Sequence, residues 1–333
     1  MEKFLLIRFS SMGDIIFSTP LPTKIKENYP SCKVHFLTLE DFVPLLEQHP
    51  NIDRIIALNK NVRLLELRHL SKAIDDENYH AIFDIHNSLR SKLLKWYSKN
   101  GEWTVYKKNR LRRFLLFYLH INQFSNTYNI SDNYLKSVNR IIQGDSLSQP
   151  QIHLTCNEKK RARKFINSHS SQKEYITIIP GAAWRTKRWL LNYYIKLVQS
   201  LNQNFDIVIL GGENDTICDE IAQKVPGAIN LKGKTDLRTA MAIMSNAKLA
   251  IGSDTGLIHG AEAVGTPVVL ITGPTSHETG AHVRLDRSVE TGIDLWCKPC
   301  SKNGSRPCFR KEQYCMVEIT PEMVMDGINR ALA

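Results

Sequence analysis

Two glycine-bearing loops carry an aspartate where a ligand could meet the chain. In SSMGD, a short apolar run ends and Gly13 permits a tight turn or a close approach by a ligand, with Asp14 next to it. Asp14 either caps the following helix or faces a ligand, and spacing alone leaves both open. In IGSDTGLIHGAEAVGTP, the segment Ser253, Asp254, Thr255 and Gly256 leads into a helix whose free amides would favour an anion. Asp254 is also the natural N-cap of that helix. His259 lies about one turn further on, on a face that can share the same ligand.

Cations and further polar groups follow other strand ends. IIPGAAWRTKRW turns at Pro180-Gly181 and then presents Arg185, Lys187 and Arg188 between two tryptophans, a composition that suits a diphosphate. LGGENDT places Glu213 where a carboxylate could accept from ribose hydroxyls. FDIHNSLRSK groups Asp84, His86, Asn87 and Arg90, either a substrate pocket or hydrogen-bonded structural residues. Near the C-terminus, WCKPCSKNGSRPCFRKEQYC offers Cys297, Cys300, Cys308 and Cys315, a candidate four-thiolate site for structural zinc or iron. The alternative is a set of free thiols, because the second pair of cysteines is not a CxxC.

The elements that must position these groups alternate. Strand-like runs are Phe4–Phe9, Lys33–Leu39, Arg54–Leu58 and Ala81–Ile85, then Tyr175–Ile179, Asp206–Leu210, Ile229–Leu231, Ala247–Ile251 and Val268–Thr272. Helical patterns cover Leu21–Tyr29, Leu64–Glu77, Leu89–Lys99, Leu190–Leu201, Asp215–Lys224, Leu237–Ser245 and Leu257–Val264. Such alternation, made twice, implies an α/β fold of two Rossmann-like domains with parallel sheets. The boundary is expected between residues 146 and 174, giving domains 1–155 and 156–333. Thr320–Ala333 reads as a last helix, with Thr320 as cap and Pro321 in its first turn, which could pack back on the N-terminal domain. Ligands of such sheets bind outside the carboxyl ends of the strands, here in an interdomain cleft.

Composition narrows the partners. The 333 residues carry a net charge of +11. Between Ser88 and Leu116 stand Arg90, Lys92, Lys95, Lys99, Lys107, Lys108, Arg110, Arg112 and Arg113 against the single acid Glu102. That density points to an anionic partner or to a solvated basic face. GxGxxG and GxxxxGK[ST] are both absent, which counts against a dinucleotide oxidoreductase and a P-loop NTPase. No apolar run is long enough to span a bilayer and no secretory signal is present, so the chain is expected in the cytoplasm.

Together SSMGD, PGAAWRTKRW and SDTGLIHGAEAVGTPVVLITGPT resemble glycosyltransferase family 9, the bacterial ADP-heptose heptosyltransferases, over nearly the whole chain. The resemblance implies a GT-B fold, with an N-terminal acceptor-binding and a C-terminal nucleotide-sugar-binding domain facing across a cleft. It implies inverting transfer of L-glycero-D-manno-heptose from ADP-heptose to the lipopolysaccharide inner core, with no cofactor required for catalysis. Asp14 then matches the catalytic base. Lys187, Glu213, Ser253, Asp254, Thr255, Gly256 and His259 match the donor side, and Gly13, His86 and Arg90 the acceptor side. The basic stretch would meet the phosphates and carboxylates of an acceptor at the inner membrane surface, making the enzyme peripheral there. A protein (autotransporter) heptosyltransferase using the same donor is the alternative. A non-catalytic protein binding anions or nucleic acid is another, though no nucleic-acid-binding motif is present.

Overall fold

The computed structural model describes residues 1–125, 127–169 and 174–333. Residues 170–173, within the stretch read as the boundary, lie outside the described residues. Contacts divide the chain into two units, Met1–Asn109 with Asn129–His153 and Arg110–Tyr128 with Leu154–Ala333.

The chain opens with β1 (Lys3–Ile7), α1 (Met12–Ile16), α2 (Pro20–Asn28) and β2 (Lys33–Leu39). It continues through β3 (Arg54–Leu58), α3 (Leu64–Asp76), β4 (Ala81–Asp84), α4 (Leu89–Tyr97) and β5 (Glu102–Val105). Helix α5 (Arg110–Leu119) groups with the second unit and α6 (Ile130–Val138) with the first. The strands pair in parallel in the order β3-β2-β1-β4-β5. Phe4, Leu5, Leu6 and Ile7 of β1 are all fully buried, as expected of a central strand covered on both faces. Its Leu5 and Ile7 share one face of the sheet and pack with Leu37, Leu39, Leu67, Ile74 and Leu94.

The second unit runs through α7 (Cys156–Asn167), β6 (Tyr175–Ile179), α8 (Leu191–Leu201), β7 (Asp206–Ile209), α9 (Ile217–Lys224), β8 (Ile229–Asn230) and α10 (Leu237–Met244). Then come β9 (Leu249–Ser253), α11 (Gly256–Ala263), β10 (Val268–Thr272), β11 (Val289–Gly292), α12 (Tyr314–Val317) and α13 (Pro321–Leu332). Its parallel sheet has the order β11-β10-β9-β6-β7-β8. Helix α13 lies on β10, β11 and α8, because Val324, Ile328 and Ala331 complete the core of its own sheet.

Both sheets reverse strand order beside their first strand, and the loops that leave there emerge side by side. In the first unit Ile7 of β1 aligns with Asp84 of β4. In the second, Ile179 of β6 aligns with Gly252 of β9, and Ser253 with Ile271 of β10. Gly252 is required at this crossing: a Cβ there would stand 2.6 Å from the Ile179 carbonyl oxygen. No described helix is long and apolar enough to cross a membrane.

Candidate active site

In the first unit, β1 delivers Arg8 and Phe9 directly into the short helix α1. Gly13 and Asp14 lie in that helix, and Asp14 is buried at 9% exposure. Its Oδ2 is 2.5 Å from the Arg8 guanidinium and accepts from Ser11 Oγ at 3.0 Å. Its Oδ1 accepts from the Tyr134 hydroxyl at 2.9 Å. The capping contact to the Ser11 amide is the longest of these, at 3.5 Å. Asp14 therefore belongs first to a buried ion pair and only second to a helix cap.

Arg8 is itself fixed, donating to the Ile85 carbonyl at 2.7 Å. Burial alone would lower its pKa, but Asp14 beside it raises it, so the guanidinium stays charged. Burial also holds the Tyr134 phenol well above its ordinary value, which keeps it a hydrogen-bond donor.

The neighbouring loop after β4 is turned by Asp84. Its Oδ1 accepts from the amides of His86 at 3.0 Å and Asn87 at 2.8 Å, making this buried acid structural. His86 and Arg90 both approach the Phe9 ring, the imidazole edge-on at 5.2 Å and the guanidinium at 5.6 Å. Arg90 also donates to the Lys60 carbonyl at 2.9 Å. Asp14, His86 and Arg90 are thus brought to one end of one sheet through Arg8 and Phe9.

In the second unit, the loops after β6, β9 and β10 converge on Asp254. Lys187 lies in the short turn Arg185–Lys187, and its ammonium is 2.5 Å from Asp254 Oδ2. His259 Nε2 is 2.9 Å from Oδ1, and Thr275 donates to Oδ2 at 2.8 Å. Burial would push the Asp254 carboxyl up, but Lys187 and His259 hold it well below the usual carboxylate range. The expected capping role for Asp254 is corrected, because Thr255 is the N-cap of α11 and Asp254 precedes it. Ser253 likewise ends β9 and is fully buried rather than lying in the loop, since its pairing with β10 continues the ladder. Gly256 opens α11, and the buried Thr255 hydroxyl has no protein partner among the described residues.

Glu213 stands apart from this network. It is exposed after β7, packed against Gly233. The two tryptophans differ too. Trp189 is buried and donates to the Ile319 carbonyl at 2.7 Å, whereas Trp184 is 42% exposed.

The cysteine-rich segment lies beside Thr186 and Lys187. Among the described residues no three His, Cys, Asp or Glu side chains form a group that could hold a metal ion. Cys297 and Cys315 are buried, while Cys300 and Cys308 are half-buried. Burial, with the other three thiols nearby, pushes the Cys300 thiol up to about 11. The segment also braces Lys187. Gly304, at φ +79°, leaves no room for a Cβ, which would meet Lys187 Cγ at 2.6 Å. Thr186 donates to the Gly304 carbonyl, and Gln313 donates to that of Thr186.

Several functional neighbours escaped the sequence reading: Arg8, Tyr134 and Thr275. Tyr134 was legible in principle, because Asn129 caps a helix with apolar residues at 130, 134, 135 and 138. Arg8 and Thr275 carry no local signal, since their roles come from strand adjacency.

Two parallel Rossmann-like sheets, each with polar loops at its carboxyl edge, make this a fold of the GT-B class. Comparison with known proteins agrees. Residues 67–308 match the profile of Glycosyltransferase family 9 (heptosyltransferase), and the chain belongs to that family. It is 25% identical over 352 residues to lipooligosaccharide heptosyltransferase 2 of Haemophilus influenzae, covering 99% of both chains. It is 26% identical over 282 residues to lipopolysaccharide heptosyltransferase 3 of Escherichia coli, covering 80% of this chain and 82% of the relative. Among solved structures, the ADP-heptose heptosyltransferase II of E. coli superposes with a TM-score of 0.79 at 22% identity, covering 99% and 98% of the two chains.

Proposed function

We propose that the chain is an inverting heptosyltransferase that moves L-glycero-D-manno-heptose from ADP-heptose to the lipopolysaccharide inner core. The second unit holds the donor and the first serves the acceptor. The observation that carries this reading is the Lys187–Asp254–His259–Thr275 network at the start of α11. An ammonium has three donors, and Asp254 engages one side of it, leaving the rest for diphosphate oxygens. The Thr255 hydroxyl and the first amides of α11 add neutral donors to the same charge. ADP-heptose heptosyltransferase II and the two lipopolysaccharide-type relatives support the sugar and the acceptor class by kinship.

In the proposed step, the Asp14 carboxylate takes the proton of an acceptor hydroxyl. The hydroxyl oxygen then bonds to the anomeric carbon on the face opposite ADP, the carbon–oxygen bond to the diphosphate breaks, and ADP leaves carrying the electron pair. Configuration inverts. The departing charge is met by Lys187 and the α11 amides, so no metal is required for it. The acceptor lies at the inner membrane surface, and the enzyme works there as a peripheral protein. The test is ADP release from ADP-heptose with Kdo-lipid A as acceptor. Release well above a control without acceptor is expected, and equality with that control sinks the reading.

A further inference from the structure

Helix α5 carries large apolar side chains on two sides. Leu116 is buried, while Leu111, Phe114 and Tyr118 recur at the spacing of one helical face and are between 51% and 70% exposed. Leu119 beside them is exposed as well. The cysteine-rich segment continues this surface. Arg306 donates to the Phe117 carbonyl at 2.9 Å and lies 4.8 Å over the Tyr118 ring. His120 meets Trp296 edge-on at 4.9 Å, and Trp296 lies 6.0 Å from Phe309, with Arg310 5.5 Å over the Trp296 ring. Trp296 and Phe309 are each 63% exposed. Helix α5 and this segment belong to one unit, so the surface is continuous within it.

Charge sorts the possible occupants. No Asp or Glu stands between Arg110 and Tyr128, or between Leu295 and Lys311. Arg110, Arg112, Arg113, Arg306, Arg310 and Lys311 do stand there, and none of them makes an ion pair among the described residues. A second copy docking face to face would set these cations against one another. Nucleic acid would match the charge and could stack on the rings, but it gives the aliphatic Leu111 and Leu119 no partner. An anionic bilayer meets every group: lipid phosphates for the cations, and the boundary between headgroups and acyl chains for the Trp, Tyr, Phe and Leu side chains. No described helix is long and apolar enough to cross a membrane, so contact of this kind lies in the plane of the interface.

We propose that the exposed face of α5, with Trp296, Phe309 and the arginines of the cysteine-rich segment, is the surface by which this protein lies on an anionic lipid bilayer. Helix α5 lies flat, its Leu111, Phe114 and Tyr118 stripe inserted at headgroup depth and its arginines among the phosphates. The proposal deepens the reading of a peripheral enzyme and rests on it for its purpose, while the surface itself stands on exposure and charge.

The test needs neither donor nor acceptor. The full chain is sedimented with vesicles of phosphatidylglycerol and phosphatidylcholine in equal parts, and with vesicles of phosphatidylcholine alone. The anionic vesicles should bind at least about tenfold more tightly, and added salt should weaken them. The charge variant Arg110→Gln, Arg112→Gln, Lys311→Gln alters three exposed side chains and should keep the wild-type melting temperature, yet lose at least about tenfold of this binding. The apolar variant Leu111→Gln, Phe114→Gln should lose at least about fivefold with its charge unchanged. Brominated lipid should quench tryptophan emission in the wild type, and Trp296→Phe should remove most of that quenching. Equal binding of the two kinds of vesicle, wild-type binding by either multiple variant, or quenching that survives Trp296→Phe overturns the proposal. Single-stranded RNA bound more tightly than the anionic vesicles, or a dimer that the apolar variant breaks, would assign the face to another partner and also overturn it. A wild type that binds vesicles but transfers no sugar sinks the activity reading alone. One that transfers to a detergent-dispersed acceptor but ignores vesicles sinks this surface alone.

Discussion

Asp254→Asn separates a buried charge cluster from a helix cap. Asp254 and Lys187 have side chains only 11% and 12% exposed, and His259 is 6% exposed. Asparagine offers one acceptor oxygen where the carboxylate had two, and its amide nitrogen must face one of three donors. Removing one partner from a buried pair costs about 3–5 kcal/mol because the other charge stays buried and uncompensated. Taking about 3 kcal/mol, for a unit of this size the melting temperature falls by roughly 6–12 °C. Loss of a simple cap would cost only about 1 kcal/mol, or roughly 2–4 °C. Acid behaviour gives a second reading. The folded carboxyl is held below its unfolded value of about 3.9, so its stabilisation is complete above that value and is lost as pH falls through the lower folded pKa. The gap between wild type and variant should be level from about pH 8 to pH 5 and narrow below about pH 4. Melting followed by circular dichroism across this range is the assay. A loss under about 4 °C, or a gap that closes between pH 6 and 8, would refute the reasoning.

Asp14→Asn should keep donor binding and lower turnover at least about a hundredfold, as loss of a general base predicts, and unchanged turnover would return Asp14 to its ion-pair and capping roles. Lys187→Ala should weaken ADP-heptose binding at least about tenfold by calorimetry, and a wild-type donor affinity would rule out the diphosphate role. Gly304→Ala touches no substrate in the proposed mechanism, yet it strains a left-handed residue and displaces the Lys187 stem. It should raise donor KM several-fold while acceptor KM holds, and an unmoved donor KM would show that the cysteine-rich segment does not brace that lysine.

Much of the scaffold was readable because burial on both faces leaves continuous apolar runs. β2 at Lys33–Leu39, β3 at Arg54–Leu58 and β10 at Val268–Thr272 have the bounds their composition implies. The edge strands were not readable. β5 is only EWTV and β11 is VETG, each four residues, partly solvated and carrying a charge that hides the pattern. β9 ends two residues beyond its apolar run, because Gly252 and Ser253 still pair across the sheet. Lys187 and Asp254 were readable as candidates from composition and resemblance. Their ion pair was not, since nearly seventy positions separate them and only the adjacency of β6 and β9 joins them. The tryptophans beside Lys187 mislead in the same way: burial of Trp189 depends on Ile319 and its neighbours at the far end of the chain.

The two aspartates suit different roles because their partners differ. Asp254 has both oxygens engaged by Lys187, His259 and Thr275 and is held strongly ionised, so it is a poor proton acceptor and a good anchor for a lysine. Asp14 is paired with Arg8, a cation fixed by the Ile85 carbonyl, and with Tyr134, a phenol that burial keeps protonated. Neither partner can accept a proton from it. A proton that Asp14 takes from an acceptor hydroxyl, as proposed, therefore has no route onward through Arg8 or Tyr134. In the proposed mechanism Arg8 and Tyr134 therefore fix the Asp14 carboxylate in place and carry none of its proton traffic.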